Sequence, residues 1–182
     1  MQELSLHVLD LVQNAVEAGA DEIEIEIKED WERDRLTITV SDNGRGMTPQ
    51  QATRLTDPFY TTRQSRQVGL GVPLLAAAAE AAGGGVQVTS RPGQGTSVMA
   101  TFGLSHLDRA PLGDMGATIQ AALVGRPALQ LSYRHGTGRG SFELDLRELR
   151  ARLGEVAPDQ PVVANWIRQY VRAGLAEMGS RA

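Results

Sequence analysis

Three clusters in this chain place chemically useful residue types close together. Asp10 and Asn14 lie four residues apart in a helical pattern, so they share one face of a helix. A carboxylate there can orient a water or take its proton, and an amide oxygen one turn later is a hard neutral ligand for a cation such as Mg²⁺. Asp42-Asn-Gly-Arg-Gly-Met47 follows an alternating strand. It sets an acceptor at the strand's end, and Gly44 and Gly46 allow a tight turn and a close backbone approach. Gly69-Leu70-Gly71 precedes a helical pattern, where free backbone N–H groups make a site for anions. Taken singly, these are also what a solvated helix face, a plain Asp-Asn-Gly turn and a flexible loop look like. Their order and spacing give them weight: Asn14 lies 28 residues before Asp42, and Gly69 lies 27 after it.

The elements that must position these residues can be read from hydrophobic period. Leu4, Val8, Leu11, Val12 and Ala15 repeat as one face of a helix over 3–18, which Gly19 ends. Ile23, Ile25 and Ile27 alternate with Glu22, Glu24, Glu26 and Lys28, and Leu36, Ile38 and Val40 repeat the pattern. Two half-buried strands at 22–28 and 36–41 follow, their charged face solvated and their apolar face covered by helices. Thr48-Pro49 opens a short helix to about 55, a long loop occupies 57–71, and a helix with Pro73 in its first turn runs over 72–82. Strands are expected at 86–90 and 96–102. Beyond them we expect a linker (105–115), a helix at 116–124, strands at 128–134 and 141–145, and helices at 146–153 and 161–178. Arg134, His135, Gly136 and Arg139 read as a solvated hairpin tip, and Arg147, Arg150 and Arg152 as a surface face. Trp166, Ile167 and Tyr170 read as the packing side of the last helix.

Composition narrows the function classes. The chain has 182 residues, 41% hydrophobic and 22% charged, which is globular rather than disordered. There is no cysteine, which excludes disulfides, thiolate metal sites and a cysteine nucleophile. No apolar run approaches membrane-spanning length, so the default expectation is a soluble, cytoplasmic protein without a membrane partner. Residues 1–104 carry 8 basic and 14 acidic side chains, and 105–182 carry 10 and 8. Neither half has the basic stripe of a nucleic-acid-binding surface, and none is expected. Lys28 is the sole lysine and no glycine loop precedes it, which excludes a P-loop.

The string Asp10-Leu-Val-Gln-Asn-Ala-Val-Glu-Ala-Gly-Ala20, the Asp42–Met47 turn and Gly69-Leu-Gly71, in that order, resemble the GHKL superfamily. That group holds gyrase B subunits, heat-shock chaperones, histidine kinases and the mismatch-repair protein MutL. Asp57-Pro-Phe-Tyr-Thr-Thr-Arg63 resembles its lid region, and Gly93-Gln-Gly-Thr96 its last element. The resemblance covers residues 1–104. It implies a Bergerat-type α/β two-layer sandwich, a mixed and mostly antiparallel sheet covered by helices, here with a small C-terminal α+β appendage over 116–182. The implied ligands are ATP or ADP with Mg²⁺. Asn14 would hold the metal, and Asp10 would stand where the family usually has a glutamate base, one methylene shorter. Asp42 would read the adenine amine, with Gly44, Gly46, Met47 and Thr96 forming the pocket around it. Thr61, Thr62, Arg63, Gly69, Leu70 and Gly71 would meet the phosphates. His7 is expected to bond Asp10 rather than to accept phosphate.

The expectation is a Mg·ATP-binding protein, a slow ATPase or phosphotransferase working as a nucleotide-driven switch with an unidentified protein partner. Two rivals stand beside it: an anti-sigma-type serine kinase acting on a partner, and a non-hydrolysing nucleotide sensor subunit in a redox or regulatory complex. A homodimer is left open.

Overall fold

The computed structural model describes residues 3–55, 71–154, 156–180 and 182. The N-terminal elements are α1 (Leu4–Glu17), β1 (Glu22–Asp30), β2 (Arg35–Asp42), α2 (Pro49–Arg54), α3 (Gly71–Ala81), β3 (Gly85–Arg91) and β4 (Gly95–Gly103). Then come α4 (Met115–Leu123), β5 (Gln130–Thr137), β6 (Gly140–Asp145), α5 (Leu146–Leu153) and α6 (Pro161–Glu177). The expected helices and strands are all present, with ends moved by no more than three residues, while the long loop expected over 57–71 lies, up to residue 70, outside the described residues.

The strands form one mixed sheet in the order β3-β4-β2-β1-β5-β6. Every neighbouring pair is antiparallel except β1 and β5. The period-2 pattern decides which face is dry. Ile23, Ile25 and Ile27 of β1 are fully buried, as are Leu36 and Ile38 of β2, while Glu22, Glu24, Glu26 and Lys28 are exposed. Helices α1 and α3 lie against the buried face, α4 packs between α1 and α6, and the charged face stays open to water. The result is the two-layer α/β sandwich that the patterning implies.

Residues 116–182 continue this sheet through β5 and β6. The stretch before α4 is also packed: Ala110 and Leu112 are buried, and the Leu4 and Ser5 N–H groups donate to the Pro111 and Leu112 carbonyls at 3.0 and 2.7 Å. These are orphan donors of the first turn of α1, which has no side-chain cap.

Three expectations for the C-terminal part need correction. His135 is no hairpin tip; it lies in β5, wholly buried, and its Nε2 meets the Glu29 carboxylate at 2.9 Å. Tyr133 Oη stands 2.9 Å from its Nδ1, and Ser180 Oγ and Trp31 Nε1 also donate to Glu29. Glu29 continues the inward register of the three isoleucines, so these partners are what satisfy its carboxylate. Arg150 does not simply face solvent: its guanidinium donates to the Pro127, Ala128 and Leu129 carbonyls. Finally, α6 packs through Val163, Ala164, Ile167 and Val171, whereas Trp166 and Tyr170 stand on its flank, nearly half exposed.

Candidate functional site

The turn after β2 is fastened on two sides. Toward α1, the Arg45 N–H donates to the Ala18 carbonyl at 2.9 Å, and the Arg45 guanidinium reaches the Glu17 carbonyl at 3.0 Å. Asn43 Oδ1 accepts from the backbone N–H groups of Asp21 and Glu22, both at 3.1 Å, which ties the turn to the start of β1. Toward the β3–β4 turn, the Gly93 N–H donates to the Arg45 carbonyl at 2.8 Å and the Met47 N–H to Ser90 Oγ at 2.8 Å. Ser90 Oγ also lies 2.9 Å from Thr96 Oγ1.

Glycine is required where these strands of chain meet. Gly46 has φ 64°, and a Cβ on it would stand 1.9 Å from the Arg91 carbonyl oxygen. Gly95 has φ 84°, and its Cβ would stand 1.8 Å from the Asp42 carbonyl oxygen. Both combine a left-handed backbone with contact too close for any side chain.

Asp42 pairs across the ladder with Thr96 and is half-buried. Burial pushes its carboxyl up from the ordinary aspartate value, and hydrogen bonds from the Gly44 and Thr96 backbone oppose that. The Gly44 bond to Oδ1 is 2.8 Å. A carboxylate that has lost water and still has acceptor capacity suits a buried amine donor.

Asp10 and Asn14 are brought to the same region by α1, whose C-terminal residues hold the turn. About 6 Å of helix axis separates Asn14 from Ala18. The second glycine cluster joins them at its described end. Gly71 opens α3, and a Cβ on it would lie 3.1 Å from Asp10 Cβ and 3.7 Å from Asn14 Nδ2. A side chain at this position would press on Asp10 where α3 approaches α1. His7 is buried on the same helix, and its Nδ1 has no hydrogen-bond partner among the described residues. Burial lowers its pKa, partly offset by the charge of Asp10.

Asp10, Asn14 and Gly71 thus meet where α1 faces the start of α3, while Asp42, Gly44, Gly46, Met47 and Thr96 gather at the turns after β2 and between β3 and β4, tied to the C-terminal end of α1. Thr61, Thr62, Arg63, Gly69 and Leu70 lie outside the described residues. Sequence reasoning missed Ser90 and the anchoring role of Asn43. A serine near the end of a strand carries no signal, whereas Asn43 stood inside the motif and could have been questioned.

Residues 2–106 match the family model described as histidine kinase-, DNA gyrase B- and HSP90-like ATPase. The chain belongs to this family. Among curated relatives, it is 42% identical over 105 residues to the sensor protein kinase FleS of Pseudomonas aeruginosa, covering 58% of this chain and 25% of that one. It is 34% identical over 95 residues to the sensor protein DegM of a Bacillus species, covering 52% and 25%. To the sensor histidine kinase ZraS of Salmonella typhimurium it is 36% identical over 90 residues, covering 48% and 19%. The matched region spans a quarter or less of each of these relatives. In fold, the chain is similar to the N-terminal domain of a DNA repair protein, with a TM-score of 0.56 at 20% identity, covering 80% of this chain and 52% of that one. That share exceeds residues 2–106, so the likeness in fold reaches into the C-terminal strands and helices. No helix among the described residues is long and apolar enough to cross a membrane.

Proposed function

We propose that this chain binds Mg·ATP in the cleft bounded by α1, α3 and the Asp42 turn, and uses the nucleotide as a conformational switch with slow turnover. The observation that supports this reading is the meeting of Asp10, Asn14 and Gly71 at one junction, with the Asp42 turn tied to the C-terminal end of the same helix.

In this reading Asp42 accepts the exocyclic N–H of adenine and excludes guanine, which has a carbonyl at that edge. The N-terminus of α3 turns its backbone N–H groups toward the phosphates. Asp10 orients a water and takes its proton as the water oxygen bonds to the γ-phosphorus and the bridging P–O bond breaks. The donor set suits Mg²⁺: Asn14 offers one neutral oxygen, and among the described residues no three potential ligands cluster. Such a site fits an ion that keeps phosphate oxygens and water as its other ligands. When bound, Mg²⁺ would neutralise phosphate charge.

Asp10 is a methylene shorter than a glutamate, which favours slow turnover. The same departure supports the alternative of a non-hydrolysing sensor. Phosphoryl transfer to a partner serine and a cytoplasmic location stay within the proposal.

The test is phosphate release from Mg·ATP beside direct measurement of ATP binding, for the full chain and for Asp10→Ala and Asp42→Ala. Turnover lost in both, with ATP still bound by Asp10→Ala, supports the assignment. Binding without turnover, dependent on Asp42, moves the reading to a sensor or a kinase awaiting its partner. ATP affinity surviving in Asp42→Ala overturns the adenine assignment.

A further inference from the structure

The sheet ends at β6, but the apolar layer above it does not. Tyr133 of β5 meets Phe142 of β6 with ring centroids 6.2 Å apart. Phe142 meets Tyr170 of α6 at 5.1 Å, and Tyr170 stacks on Trp166 at 4.9 Å with the ring planes 9° apart. The first two rings belong to the sheet and are buried; the last two are 43% and 47% exposed. Val162, one turn earlier on the same flank, is 82% exposed. Gly174 lets α6 lie this close, since a Cβ there would stand 2.0 Å from the Phe142 ring. The ring ladder thus leads from the last strand out to an apolar flank of α6.

Among the described residues, β6 pairs with β5 alone. Its other edge presents backbone donors and acceptors with no partner strand, the arrangement that a further strand completes. Edge strands are commonly guarded by charge, and β6 carries Glu143 and Asp145 on its exposed face and no basic residue there. Arg134 of β5 engages Glu143 from the inner side at 2.9 Å. A second copy of β6 would bring acid against acid, which is unfavourable across a ladder. A strand with basic residues on that face would instead be complementary, and its alternate residues would meet the aromatic flank.

We propose that the free edge of β6, beside the Trp166–Tyr170 flank of α6, takes an extended segment of a partner protein in which apolar and basic residues alternate. Backbone pairing supplies the affinity, the aromatic pair grips the apolar side chains, and Glu143 selects the basic ones, Asp145 being held as the N-cap of α5. The surface lies on a strand and helix outside the residues of the proposed nucleotide cleft, so it stands or falls independently of that reading.

The test uses the full chain, labelled with nitrogen-15, and three blocked eight-residue peptides: alternating valine and lysine, alternating valine and glutamate, and a block of four valines followed by four lysines. The alternating valine–lysine peptide should give saturable shifts and added hydrogen-exchange protection over residues 140–145, with the glutamate and block peptides at least tenfold weaker. Trp166→Ala should weaken that peptide at least tenfold while the amide spectrum of residues away from α6 and β6 stays that of the native fold. Glu143→Lys should reverse the preference between the lysine and glutamate peptides. Failure of the lysine peptide to shift β6 at millimolar concentration overturns the proposal. So does equal binding of all three peptides, or protection of β6 by self-association that doubles the mass in sedimentation without peptide.

Discussion

Replacing Glu29 by leucine tests whether the buried polar cluster beneath β1 and β5 holds the two parts of the sheet together. The Glu29 side chain is fully buried and accepts from His135 Nε2 at 2.9 Å, Ser180 Oγ at 2.6 Å and Trp31 Nε1 at 3.2 Å. Leucine roughly fills the space but accepts nothing. Ser180 and Trp31 stand near enough to the surface to turn toward water; His135, at 0% exposure, cannot. The dominant loss is therefore that of a broken buried pair, about 3–5 kcal/mol. Against a total stability of about 5–15 kcal/mol, this is a large fraction. For a urea slope of about 2 kcal/mol/M, the midpoint should fall by about 1.5–2.5 M. Equilibrium urea unfolding, followed by circular dichroism at pH 7, measures it. Glu29→Leu combined with His135→Leu should recover part of the loss, since the histidine is then no longer stranded and only the Tyr133 hydroxyl, which meets His135 Nδ1, loses its partner. A midpoint shift under about 0.5 M, or a double variant that is less stable than the sum of the singles, would refute the reasoning.

Two further outcomes follow from the site. Gly46→Ala should cost about 1–2 kcal/mol for the left-handed backbone and about 1–3 kcal/mol for overlap with the Arg91 carbonyl, and should weaken nucleotide binding more than ten-fold by displacing the turn; unchanged thermal midpoint and affinity would show that the turn is not fixed as described. The pH response of the nucleotide-free protein should carry two signs. His7 has its folded pKa lowered by burial, so the unfolded chain binds the extra proton and stability is lost as pH falls below about 6.5. Asp42 has its folded pKa raised, so its buried charge is a cost present above that pKa and relieved on acidification. Accordingly, Asp42→Asn should raise the thermal midpoint at pH 7 while removing ATP binding, and His7→Leu should flatten the decline on the acid side; the opposite shifts in thermal scans would reject these assignments.

The sequence made the helix–hairpin–helix order and the turn glycines readable because those signals are local. Alternation marks β1 and β2 directly, and Gly46 sits in a motif whose chemistry needs a tight turn. What stayed hidden depends on strand order, which no local pattern encodes. His135 looked like a loop histidine because its acceptor is Glu29, 106 residues away. Glu29 fell just past the reading's strand end, where a charged residue looked like the beginning of a loop. By type and spacing Trp166, Ile167 and Tyr170 read as the packing side of α6, yet of these only Ile167 is buried, and the smaller Ala164 and Val171 share the contact while Tyr170 reaches Phe142 from the flank. Ser90 was invisible because its partners come from two separate turns.

The single parallel pairing in the sheet also sets a schedule. β1 finds β2 through a short hairpin, but its other neighbour, β5, is made about a hundred residues later. At bacterial or eukaryotic synthesis rates of about 5–20 residues per second, that is a delay of about 5–20 s. During it the central strand of the finished sheet is an outer one, with Ile23, Ile25 and Ile27 along its length. Closure by a distant strand is intrinsically slow, and the interval is when wrong pairing can occur. Glu24, Glu26 and Lys28, which have no role in the site, then act as temporary guards on a nascent chain.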